Sequence, residues 1–259
     1  MGFEFLNENR GAKSHKGASN LIAGVLVILI SFMALALVVT MGMPALNRAK
    51  EAAVINEATQ HMRELDSTIR EVASEGTGAL RSTAMKVSGG TYSVNQKSGS
   101  VDFTYDMKYG LIEAGSFFKE GNLYMFSGTN GKASEYDLDG DSVAELVLEN
   151  DILRIGIQKV ANSSSPNTDT IDTKNNVKIL NLKEGMVNVT PADTSVILDN
   201  LPSTSSGVGY SELVSKGDYL SKAEAIVHVN STDISYDVVY TLPSNADFLI
   251  VKIVNAYYN

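Results

Sequence analysis

The sequence predicts an α+β protein: a long N-terminal helix followed by a mostly antiparallel, β-rich head domain, with a sandwich as the expected form. Three observations carry this. Residues 18–47 contain no charged side chain. Apolar residues between 54 and 72 recur at the spacing of one helix face. After residue 91 the pattern turns to period two, and every one of the 11 tyrosines lies there.

The whole-chain averages conceal this division. The 259 residues are 44% hydrophobic and 20% charged, with a net charge of −9, figures typical of a soluble globular domain. They exclude a fully disordered chain and a multi-span membrane protein. The acidic balance repels phosphate backbones, so no nucleic-acid partner is expected. Cysteine is absent, which removes disulfides, thiol catalysis and cysteine-held metals. Three histidines, His15, His61 and His228, leave little for metal or histidine chemistry. None stands in a nucleophile motif, and neither a P-loop nor a dinucleotide fingerprint is present. The expectation is a protein that is not an enzyme.

The first element follows from residues 18–46. Leu21 to Val39 is interrupted only by Gly24 and Ser31. At 1.5 Å per residue such a helix covers roughly 28 Å, close to the ~30 Å of a bilayer core. Arg10, Lys13 and Lys16 precede it, and Arg48 and Lys50 follow with Glu51 and Glu57 nearby. This charge balance places the N-terminus inside the cell and the remainder outside. Pro44, after Gly42, is expected to kink the helix or break it locally.

The boundary before this helix is distinctive. Residues 1–17 are polar and end Lys16-Gly17, directly against Ala18-Ser19-Asn20-Leu21. An ordinary secretory signal is cut after its apolar segment, and Ala34-Leu35-Ala36 could be read so, but Leu37 to Val39 continue the run past it. A short basic leader ending Lys-Gly, a small residue and then an apolar mature N-terminus resembles the class III signal peptide of type IV pilin-like proteins, in the form of archaeal pilins and archaellins. The resemblance covers residues 13–50. Two bacterial hallmarks are absent: the fifth mature position is Ile22 rather than glutamate, and there is no Phe-Thr-Leu start.

The resemblance implies a fate. A prepilin peptidase would cut between Gly17 and Ala18, with Lys16 holding the bond at the cytoplasmic face and the side-chain-free Gly17 allowing close approach. The helix would wait in the membrane, then pack with identical subunits in a helical filament assembled by pilus machinery. Localisation would pass from single-pass membrane protein to extracellular filament, with adhesion or surface attachment as the role. The competing expectation is a permanently anchored adhesin or binding ectodomain that does not polymerise.

Residues 47–76 continue as an amphipathic helix. Val54, Ala58, Met62, Leu65, Ile69 and Val72 form the apolar stripe, and Glu75-Gly76-Thr77-Gly78 ends it. Within the head, residues 77–259, alternation predicts strands at Val101–Tyr105, Leu123–Ser127, Leu153–Val160, Val177–Leu182, Gly185–Thr190, Ala223–Val229, Ile234–Leu242 and Phe248–Ala256. The Ser/Thr/Asn-rich stretches Asn162–Asn176 and Leu201–Gly217 are expected as loops.

Two motifs remain. Asp137, Asp139, Asp141 and Glu145 stand at relative positions 1, 3, 5 and 9, with Gly140 at the turn. Calcium takes six to eight hard oxygens, and these carboxylates with the Val143 carbonyl can wrap one ion in a structural role. The loop resembles the short D-x-D-G-D calcium loops of integrin-type propellers, and it also reads as a plain polar hairpin turn. Asn162, Asn188 and Asn230 each begin an N-x-S/T sequon, the acceptor for N-glycans on exported chains.

Overall fold

The computed structural model describes residues 16–86, 88–183, 187–189 and 194–259. The leader before Lys16, including Arg10, Lys13 and His15, and Thr190 of the second sequon lie outside these. The chain divides into two units, residues 1–53 and 54–259.

The described residues of the first unit are helical. Helix α1 runs Lys16–Leu37, a π-helical turn occupies Val38–Gly42, and α2 runs Met43–Glu75. The π-turn sits where Pro44 requires it. Pro44 has no N–H to give the Thr40 carbonyl and its ring crowds that carbonyl, so the local ladder must reorganise. The Met43 N–H still reaches Val39 O, and the Thr40 hydroxyl donates to Ala36 O at 2.8 Å. Ser31 likewise donates to Val27 O at 2.8 Å. The hydroxyls of this apolar segment are thus satisfied within the helix, as a non-aqueous surrounding demands. The segment is long and apolar enough to cross a membrane, and none of its apolar window is buried in the single chain.

The second unit begins with the rest of α2, whose stripe is legible: Ala58 is buried, and Val54, Met62, Leu65 and Val72 are partly so, while Ile69 lies exposed. Asp66 accepts from Asn122 Nδ2 at 3.1 Å, and Thr68 accepts from the Thr83 hydroxyl at 3.3 Å.

Fifteen strands follow: β1 Thr91–Asn95, β2 Ser100–Thr104, β3 Phe117–Glu120, β4 Leu123–Phe126, β5 Gly131–Tyr136, β6 Glu145–Glu149, β7 Leu153–Ile157, β8 Asp169–Asp172, β9 Val177–Leu182, β10 Val187–Val189, β11 Ser206–Leu213, β12 Gly217–Leu220, β13 Lys222–Asn230, β14 Ile234–Pro243 and β15 Ile250–Tyr258. Every strand predicted from alternation is present. All pairings are antiparallel, in sheets ordered β10-β9-β7-β6-β5-β12 and β15-β14-β13-β11-β8, with hairpins β1-β2 and β3-β4 beside them.

The two large sheets form a sandwich around one core. Leu146, Leu148, Ile155 and Ile157 come from the first sheet, and Val227, Tyr236, Val238, Tyr240 and Leu242 from the second. Burial pushes the Tyr236 and Tyr240 phenols up to about 12. Both hydroxyls are satisfied nonetheless: Tyr236 donates to Thr204 O, and Tyr240 accepts from Asn176 Nδ2 at 3.1 Å. Ile226 and Val239 are buried on the opposite face of the second sheet. Hairpin β1-β2 is tied to that sheet by Lys222–Asp102 at 3.1 Å and Lys97–Glu212 at 2.7 Å.

The two expected loops need correction. Residues 162–176 contain β8, and residues 201–217 contain the internal strand β11. Its polar composition reads as a loop, yet it is a strand whose glycines the sheet requires. A Cβ at Gly209 would stand 1.9 Å from His228 O, and one at Gly207 would stand 2.3 Å from Asn230 O. Here glycine permits close backbone approach rather than a turn.

Candidate functional site

At the N-terminal boundary, the helical backbone already includes Lys16, Gly17 and Ala18. From Leu21 to Leu46 the large apolar side chains are between 49% and 73% exposed. In water each such side chain costs roughly 1.5–3 kcal/mol relative to burial. Unless another apolar phase covers it, this surface is the least favourable feature of the molecule.

The acidic motif joins β5 to β6. Gly140 has φ +83° and Ser142 φ +70°, both left-handed, which lets the chain turn tightly. The carboxylates organise the turn by accepting backbone N–H groups. Asp137 takes Gly140 at 2.6 Å and Ser142 at 2.8 Å; Asp139 takes Asp141 at 3.1 Å; Asp141 takes Val143 at 2.7 Å; Glu145 takes Leu138 at 2.9 Å. Carboxylate oxygens of Asp137, Asp139 and Glu145 converge within 4.8 Å of one another. Those three could ligate one hard cation.

Asp141 and Val143 play different parts. Val143 supplies its N–H to Asp141, and Asp141 turns to Lys178, whose Nζ lies 3.5 Å from Asp141 and 3.3 Å from the buried Glu145. The Val143 amide and then Lys178 hold the Asp141 carboxyl below its ordinary range. For Lys178, burial alone would lower the ammonium, but Glu145 and Asp141 outweigh it and hold it raised. The cluster therefore already contains a cation of its own, on β9, two strands from β6, which spacing within the motif does not reveal.

The sequons are exposed at their asparagines. Asn162 Oδ1 accepts from the Ser164 and Ser165 N–H groups at 2.9 and 3.1 Å, folding the carboxamide back on its own turn. Asn188 is on edge strand β10, opposite Asn181. Asn230 is the last residue of β13, at the hairpin leading to β14.

One constellation escaped the sequence. His228 Nδ1 lies 2.6 Å from Asp237 Oδ1, and its Nε2 lies 3.6 Å from Glu212 Oε1, with the Tyr210 ring stacked at 4.1 Å. The register brings Tyr210, His228 and Asp237 into one row. Alternation on β13 and β14 fixes which face each residue takes, but not which strand lies opposite. Burial would raise the Asp237 carboxyl; hydrogen bonds from His228 and Asn255 outweigh it and hold the group lowered. The second imidazole nitrogen faces a carboxylate rather than a nucleophilic hydroxyl, so the geometry is that of a strap between strands rather than a catalytic triad.

Against known proteins, residues 16–109 match a family described as a family of unknown function (DUF7289). The match starts at the first residue of α1, takes in both helices and hairpin β1-β2, and stops before the sandwich. No curated protein and no solved structure matches the chain.

Proposed function

We propose that this chain is a pilin-like structural subunit: inserted in the membrane, trimmed after Gly17 by a prepilin peptidase, and polymerised through its N-terminal helix into an extracellular filament. The observation that carries the reading is a charge-free, exposed apolar run in the helix, joined to a head whose own core is already closed. Such a helix needs an apolar phase. Lipid supplies it first, and identical helices in a filament core supply it afterwards. A head-to-tail contact that does not close on itself propagates as a fibre. The family match begins at the helix and takes in all of it, which fits a protein in which the helix is a shared element. Adhesion or attachment is the role such an exposed β-sandwich suits.

In the same reading, the Asp137–Glu145 loop is a structural calcium clip on the head, using the three convergent carboxylates. Electron microscopy of surface material from the producing cells, with antibody to the head, tests the proposal. Labelled filaments support it. Labelled, filament-free membrane would instead favour a permanently anchored adhesin.

A further inference from the structure

We infer that Asn230 is the N-glycosylated residue of this chain, and that its glycan lies in the polar cleft beside it. The inference rests on the reading that the head is exported. A shallow, open cleft of about 480 Å3 is lined by Thr170, Ser206, Gly207, Val208, Asn230 and Thr232, among others. It contains the whole of the Asn230-Ser231-Thr232 sequon.

The carboxamide is oriented for attachment. Its Oδ1 accepts from the Ser235 hydroxyl at 2.9 Å and from Asn259 Nδ2 at 3.1 Å. Its Nδ2, the atom that takes the sugar, makes no hydrogen bond among the described residues. Thr232, which supplies the hydroxyl of the sequon, is exposed in the hairpin loop. Asn162 also accepts through its Oδ1, from the Ser164 and Ser165 N–H groups of its own turn, but it does not line this cleft.

The surroundings suit a saccharide. The register lines up Thr170, Val208, Asn230, Ser235 and Tyr257 across five strands on one face. Val208 is 37% exposed and offers an apolar surface to sugar C–H groups, while the hydroxyls of Thr170 and Ser206 offer hydrogen bonds. Tyr257, 63% exposed, stands two strands from Asn230, about 10 Å away at the usual strand spacing, within reach of a second or third sugar.

The modification is a group transfer. Nδ2 attacks the anomeric carbon of a lipid-phosphate-linked glycosyl donor. A carbon–nitrogen bond forms, the carbon–oxygen bond to phosphate breaks, Nδ2 gives up a proton, and the lipid phosphate leaves.

Peptide mass spectrometry of the protein purified from the cells that make it tests the site. The expected result is a glycopeptide containing Asn230, lost in Thr232→Ala and retained in Thr232→Ser, with both variants keeping the Asn230 clamp. An unmodified Asn230, or a glycan only at Asn162 or Asn188, overturns the inference. Hydrogen exchange at Ser206–Val208 tests the seat: it should be slower in the glycosylated protein than in Thr232→Ala, and equal rates overturn the cleft assignment. Protease shaving of intact cells separates the two readings. A head that is shaved off but bare at Asn230 removes this inference and leaves the export reading standing.

Discussion

The apolar helix and the β-sandwich solve opposite problems. Between Leu21 and Leu46 nearly every side chain is apolar and exposed, whereas the head closes a core without one disulfide. The sandwich is complete because two sheets can bury each other's inner faces. A single helix has no second face to offer and stays dependent on lipid or on copies of itself. In the pilin-like reading proposed above, self-sufficiency in one region and dependence in the other would let the subunit fold before it assembles.

The largest effect should come from breaking the sandwich where it has no slack. Gly209→Val places a side chain against the His228 carbonyl and should cost more than about 4 kcal/mol, enough to unfold the head. Circular dichroism of the full chain in detergent should show the sheet lost and the helix retained. A cooperative transition near the wild-type temperature would contradict the assignment of Gly209 to close strand packing.

The reverse experiment breaks the helix alone. Leu29→Lys puts a charge in the middle of the apolar run and should cost about 2.5–3.5 kcal/mol of insertion, roughly a hundredfold in the membrane-bound fraction. The head's melting temperature should stay unchanged. Equal membrane retention in cell fractionation would remove the membrane role of this segment.

Smaller changes sharpen the comparison within the head. Asp237 is held below its ordinary value, so its contribution is present above the unfolded carboxyl value of about 3.9 and is lost as pH falls through the folded one. Stability should therefore decay below about pH 4. Asp237→Asn should flatten that decay and lower neutral-pH stability by about 1 kcal/mol, as read from denaturant melts at each pH. The smallest effect concerns the acidic loop. Lys178 sits against Asp141 and Glu145, where it would compete with a divalent ion. Lys178→Met should strengthen calcium binding in isothermal titration and enlarge the rise in melting temperature on adding calcium. No heat and no shift in either protein would remove the calcium clip.

Much of this was legible in the sequence because it is local. A charge-free run, a 3.6-residue stripe and period-two alternation are properties of one segment, and they located both helices and eight strands. What was missed depends on partners. Strand β11 looks like a loop until the His228 and Asn230 carbonyls are seen against Gly209 and Gly207. The acidic loop was found from its spacing, but Lys178, on β9, was not. His228 was placed on its strand, yet Asp237, Glu212 and Tyr210 come to it only through register. Ile69 sits on the stripe by spacing but is 53% exposed, because periodicity marks a face and not the extent of its cover.

The most direct test of the pilin-like reading is the mass and N-terminal sequence of the chain recovered from the cell surface. A mature chain beginning Ala18-Ser19-Asn20-Leu21, cut between Gly17 and Ala18 and retaining the whole apolar helix, is the predicted result. A chain still beginning at Met1, or one cut after Ala36 with the helix removed, would contradict it.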